Sequence, residues 1–202
     1  MVEAEPTELT GRRRLKVFLA GLAAQVAQAG DDEAAVLRGA APCLQALVSH
    51  DDWLDDEFGE PDPEHGRQYL LYCDPLRRFS VVSVVWGPGH DTPIHDHTTW
   101  GLVGVLRGAE LEETFALEEG RPVKRGESRL EPGDVVTLSP RHGDIHRVRN
   151  AFDDRVSISI HVYGGDIGAI QRHMYSEDGE VRTFATGYAN RFLPNVWGAA
   201  AA

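Results

Sequence analysis

Two stretches of this sequence each lead through a turn to histidine, and their spacing narrows what the chain can fold into. The first, residues 89–98, reads GHDTPIHDHT and carries His95 and His97 two positions apart, ahead of an apolar run through Trp100, Leu102, Val103, Val105 and Leu106. Side chains at i and i+2 of a strand share a face. The second, residues 133–150, reads GDVVTLSPRHGDIHRVRN: a strand-like run from Val135 to Leu138 enters a turn at Pro140 and Gly143 and emerges at His146. Two imidazoles on one face, met by a third from elsewhere, make half of an octahedral metal site and leave positions open for substrate or oxygen. Imidazole suits several metals, so these residues alone leave Fe, Zn, Ni and Mn open.

The rest of the chain divides by texture. From Gln68 onward, short β-rich runs alternate with turn residues, at 69–73, 79–86, 100–106, 109–115, 134–138, 146–150 and 156–163. Many short strands with regular turns predict a mainly β sandwich or barrel. Before them the pattern is helical: one helix from Thr10 as cap to about Gly30, and a second over roughly 33–48 that Pro42 bends or splits. Arg12, Arg13 and Arg14 ahead of an apolar stretch resemble a twin-arginine leader. However, Leu15, Phe18, Leu19, Leu22 and Val26 follow the stripe of an amphipathic helix packed on a core, which favours a helix. Residues 51–66, acidic and rich in Gly and Pro, read as a connecting loop. At 202 residues and 42% hydrophobic, the chain is expected to form one domain: a helical part and loop at 1–66, a barrel at 67–175, and a tail at 176–202 that wraps the barrel and frays in its last alanines.

The run VSISIHVY at 156–163 alternates almost perfectly, with Val156, Ile158, Ile160 and Val162 on one face and Ser157, Ser159, His161 and Tyr163 on the other. An ordinary half-exposed strand would turn the polar face to water. In a small barrel that encloses a ligand the polar face can be the inner one, and Ser159, His161 and Tyr163 then form a hydrogen-bonded row.

A formal net charge of −12 opposes binding to nucleic acid or to anionic membranes. A small anionic substrate would need a local cation. No run approaches the ~20 apolar residues of a membrane span. Cys43 and Cys73 form neither a disulfide framework nor a CxxC pattern, which fits a reducing cytoplasm.

An isolated HxH pair is often only two surface imidazoles, so the longer spacing matters. Five residues separate Gly89 from His95, ten separate His97 from Gly108, and Gly133, Pro140, Gly143, His146 and Asn150 follow in order. This string resembles the double motif of the cupin superfamily, whose fold is a jelly-roll barrel of two-stranded β-helix form. With HDHT, GDIHRVRN and then SxHxY, the chain resembles more narrowly the thiol dioxygenases, meaning cysteine dioxygenase and its bacterial relatives that act on 3-mercaptopropionate, over about 68–172.

The resemblance implies one Fe(II) per chain held by His95, His97 and His146, with Ser159, His161 and Tyr163 as catalytic residues around it. It also implies addition of both atoms of O2 to the sulfur of a small thiol carboxylate, giving a sulfinate. Most cupins add a carboxylate ligand three or four residues after the second histidine, where this chain has Trp100 and Gly101. A metal held by three neutral imidazoles keeps its full 2+ charge and favours an incoming thiolate.

Two departures bear on the substrate. Gly101 stands where the mammalian type carries a cysteine crosslinked to the tyrosine matching Tyr163, so no such crosslink forms here. Gln68 stands where that type holds the substrate carboxylate with arginine. Both look like the 3-mercaptopropionate branch, in which a late arginine binds the carboxylate, here Arg172. The expected reaction is 3-mercaptopropionate to 3-sulfinopropionate. The alternatives are L-cysteine as substrate, a metal-binding cupin without oxygenase activity, or a zinc hydrolase, and oligomeric state is left open.

Overall fold

The computed structural model describes residues 11–196. Helix α1 (Arg12–Ala29) buries Leu15, Phe18, Leu19, Leu22 and Val26, the stripe expected of a packed amphipathic helix. Its arginines are ionic ties: Arg12 forks onto Asp55 and Arg14 reaches Asp52, which also accepts from the Gly11 amide at 3.0 Å. Gly11 occupies the cap position; Thr10, expected there, lies outside the described residues, as do the terminal alanines. Helix α2 (Glu33–Val48) is capped by Asp32, whose carboxylate accepts from the Ala35 amide. Pro42 lies inside it without splitting it, contrary to one expectation. The buried residues Val36 and Ala40 before the proline and Leu44, Leu47 and Val48 after it pack on one core, and that packing outweighs the missing backbone hydrogen bond.

Among the described residues, a 3-10 turn at Asp56–Phe58 is followed by eleven strands: β1 (Arg67–Cys73), β2 (Ser80–Trp86), β3 (Ile94–His95), β4 (Gly101–Arg107), β5 (Glu110–Glu118), β6 (Arg121–Leu130), β7 (Val135–Leu138), β8 (His146–Asn150), β9 (Ser157–Tyr163), β10 (Arg172–Tyr175) and β11 (Val181–Phe184). They form two antiparallel sheets, ordered β1-β2-β9-β4-β7 and β11-β10-β3-β8-β5-β6. The two sheets with two N-terminal helices laid on them match the mainly β barrel expected from the sequence. All seven expected strands are present, β8 with the ends expected and the other six with shifted ends, and β3, β6, β10 and β11 were not foreseen. Strand β11 falls in the stretch expected to wrap the barrel and pairs with β10 as the sheet edge, and beyond it Ala189 and Asn190 hydrogen-bond to Gln68 and Leu70 of β1.

The first sheet separates two environments. Ile158, Ile160 and Val162 of β9 join Leu102 and Leu106 of β4 and the buried stripes of both helices in one apolar cluster. The helix approach is close: a Cβ on Gly104 would stand 3.1 Å from Leu44 and Val48. On the other face Val82, Val84, Trp86, Val103 and Tyr163 meet Val148 of the second sheet. Ser157, Ser159 and His161 are buried with them, so the polar face of β9 is the inner one, as its alternation allowed.

Candidate metal centre

Barrel pairing brings the three histidines together. His95 on β3 is the direct cross-strand partner of His146 on β8, and His97 follows where β3 ends. Their ring centroids lie 4.8–5.0 Å apart, all three are buried, and one nitrogen from each falls within 4.8 Å of the others. Each Nδ1 faces an acceptor: the Pro93 carbonyl at 3.0 Å for His95, the Asp144 carbonyl at 3.2 Å for His97, and the Glu112 carboxylate at 2.8 Å for His146. The Nδ1 atoms therefore carry the protons, which leaves Nε2 of each ring as a lone pair. His97 Nε2 is buried and has no hydrogen-bond partner. Burial first, and then the neighbouring His146, hold His95 and His97 far below the usual histidine range. They are neutral, the form that ligates metal. A buried, unsatisfied donor atom beside two further imidazoles fits a divalent metal ion, and the described residues around it supply no carboxylate ligand.

The loop carrying His95 and His97 is held by residues that the motif reading passed over. The Asp144 carboxylate accepts from the amides of His97 and Thr98, and Thr98 sits at φ +55°, a conformation uncommon for a β-branched residue. Asp96, between His95 and His97, turns away and accepts from the His173 amide, the His173 ring and the Tyr175 hydroxyl, each at 2.8 Å, which ties β10 to the HxH segment. Glu112 orients His146. A signal for it existed: Glu110 and Glu112 are buried on β5 while Leu111 between them is only half-buried, an inverted alternation like that of β9.

A cavity of about 420 Å³ opens beside the histidines, and its lining includes His95, His146, His161, Tyr163, Arg172 and Gln68. Along β9 the expected row is continuous: Ser159 Oγ lies 2.7 Å from His161 Nε2, and His161 Nδ1 lies 2.7 Å from the Tyr163 hydroxyl. Burial pushes His161 down to about 3 and raises the Tyr163 phenol above its ordinary value, so both stay neutral. The Tyr163 ring stacks on His97 with centroids 5.4 Å apart. Gly101 is its cross-strand partner, and a Cβ there would lie 3.0 Å from the Tyr163 ring.

Arg172, at the start of β10, is buried, with its guanidinium 4.5 Å above the Phe184 ring. One terminal nitrogen donates to Thr186 at 2.9 Å, while Nε has no partner. Gln68 donates to the same Thr186 hydroxyl at 3.1 Å, so the two expected substrate-binding residues meet through a third that sequence reading missed. Burial lowers the Arg172 pKa, but a guanidinium remains charged, and its field further depresses the imidazoles opposite. Tyr69 and Tyr72 face elsewhere, against Phe58 and Phe79.

A family model for cysteine dioxygenase type I matches residues 62–177, more than half of the chain. The chain belongs to this family. Among the family's curated members, cysteine dioxygenase type 1 of Danio rerio is 30% identical over 91 residues, 43% of this chain and 45% of that protein. The Homo sapiens enzyme is 30% identical over 90 residues, 43% of this chain and 44% of its own length. The chain thus matches less than half the length of these relatives. Among solved structures, a double-stranded β-helix protein from Klebsiella pneumoniae overlays with a TM-score of 0.46 at 15% identity, covering 66% of this chain and 97% of its own. A cupin-2 domain protein from Rhodospirillum rubrum gives 0.45 at 15% identity, covering 59% and 74%. No helix among the described residues is long and apolar enough to cross a membrane.

Proposed function

We propose that this chain is an Fe(II)-dependent thiol dioxygenase that converts a small thiol carboxylate to its sulfinate, with 3-mercaptopropionate as the preferred substrate. The observation that carries the reading is a single cavity lined both by His95 and His146 of the three-histidine cluster and by a buried guanidinium, Arg172, with an unpartnered Nε. In this reading His95, His97 and His146 hold the iron, which supplies the redox chemistry that joins dioxygen to sulfur. Arg172 forks onto the substrate carboxylate, worth ~1.5–3 kcal/mol as a charge-assisted hydrogen bond, and Gln68 braces the same corner through Thr186. Tyr163, backed by His161 and Ser159, presents a hydroxyl to the reacting atoms. Cys43 and Cys73 are both free thiols, in keeping with the cytoplasm as its compartment.

A second reading, L-cysteine as substrate, is favoured by the named activity of the matched relatives. One experiment separates them. Protein reconstituted anaerobically with Fe(II) is mixed with oxygenated 3-mercaptopropionate, L-cysteine or 2-mercaptoethanol, following oxygen uptake and product mass. The proposal expects stoichiometric uptake and a sulfinate product, fastest per substrate bound with 3-mercaptopropionate. A faster reaction with L-cysteine selects the second reading. No uptake from fully ferrous protein rejects both and leaves a metal-binding cupin without oxygenase activity.

A further inference from the structure

Glu110, at the start of β5, is completely buried, and its Oε2 has no hydrogen-bond partner. Its Oε1 accepts from the Ser157 hydroxyl at 3.4 Å, and the Trp86 indole donates to Ser159 Oγ, next on the same face of β9, at 3.4 Å; both Ser159 and Trp86 pull the Glu110 carboxyl down. A buried carboxyl with a bare oxygen costs stability, and nothing in the metal set or the substrate corner uses it.

Its position at the end of the β9 row suggests a use. His161 is neutral and bonded at both nitrogens, so it has one N–H and one lone pair, and the protons of the row must run in one direction. In one direction Tyr163 donates to His161 Nδ1, His161 Nε2–H donates to Ser159, and the Ser159 proton is free for Glu110. In the other, Ser159 donates to Nε2, Nδ1–H donates to the Tyr163 oxygen, and the Tyr163 proton is free for the cavity.

We propose that Glu110 is the proton acceptor at the inner end of the Ser159–His161–Tyr163 row, taking up the equivalent of a proton released in the cavity. The cavity proton goes to Tyr163, and one proton moves in turn from Tyr163 to His161, from His161 to Ser159, and from Ser159 to Glu110. Glu110 ends neutral, and every other member keeps its original proton count. Glu110 acts through the row and is a positioning residue.

The proposal rests on the thiol dioxygenase reading for its purpose, because a thiol bound as thiolate must give up a proton. Burial pushes the Glu110 carboxyl up to about 7 against the pull of Ser159, Trp86 and Ser157, so both of its forms are accessible near neutrality. The titratable groups near it are Glu112 on its own strand and His161 and Tyr163 on β9. Strands β2, β6 and β8 bring Trp86, Leu130 and Asn150.

The test is 15N NMR of histidine-labelled, zinc-loaded protein, with the His161 signals assigned by their loss in His161→Gln. Across one pH unit on either side of the Glu110 value, His161 should change from the Nδ1–H to the Nε2–H tautomer as pH rises. The change should vanish in Glu110→Gln, and also in Ser159→Ala, which cuts the row and serves if Glu110→Gln does not fold. A His161 tautomer fixed across this range in the wild type, or a change that survives in either variant, overturns the proposal. The readout needs no turnover: an oxygen-inert protein that shows the switch loses the activity reading and keeps this one.

Discussion

At the cavity, single side chains divide the work between charge and proton position. If the Arg172 guanidinium pairs with the substrate carboxylate, Arg172→Ala should raise KM for 3-mercaptopropionate by about tenfold to hundredfold, the equivalent of ~1.5–3 kcal/mol, and leave KM for uncharged 2-mercaptoethanol nearly unchanged. Equal increases for both thiols would remove the carboxylate role. Tyr163→Phe keeps the ring stacked on His97 and deletes only the hydroxyl bonded to His161, so iron content should be normal while kcat falls by about tenfold or more. Unchanged kcat would mean that this proton is not used. The clustering of His95, His97 and His146 was legible because HxH and the following turn-and-strand pattern fix both face and spacing. Glu112, Asp144 and Thr186 were not: each is a common polar residue whose role comes from a partner far away in sequence, 34, 47 and 14 positions in their respective bonds.

Among elements, legibility followed how sharply a segment is divided between two environments. Strand β9 separates an apolar face against the helices from a polar face in the cavity, so its alternation shows plainly. Strand β6, RPVKRGESRL, is largely exposed and pairs mainly with β5 outside the core, so it carries no hydrophobic period to find. Two-residue β3 is too short for one. Helix α2 was legible in extent but not in its continuity through Pro42, because the buried stripe that holds it straddles the proline. The seat of α2 on β4 depends on Gly104. Gly104→Val would push side-chain atoms into Leu44 and Val48 and should cost about 1–3 kcal/mol, read as a lower midpoint in urea with an unchanged slope. Wild-type stability in that variant would mean that the helix is not held at this contact.

For the whole molecule, the barrel encloses neutral imidazoles, and this couples folding to acidity. His161 is held at about 3 when folded, against 6.5 for an ordinary histidine, so between those values the unfolded chain takes up a proton that the folded chain does not. Stability of the metal-free protein should therefore fall as pH drops from 6.5 toward 3, by up to about 1.4 kcal/mol per pH unit from this residue, with His95 and His97 acting in the same sense. Urea unfolding at a series of pH values checks this. The slope should be shallower in His161→Gln, and an equal slope would contradict the buried neutral state. The same neutrality underlies the central claim, that imidazoles from two distant segments converge on one metal ion. Its most direct measurement is metal per chain after anaerobic dialysis against Fe(II), compared with His95→Ala, His97→Ala and His146→Ala variants whose circular dichroism is unchanged. The account expects one ion per chain in the wild type and near none in each variant; normal stoichiometry in all three variants would contradict it.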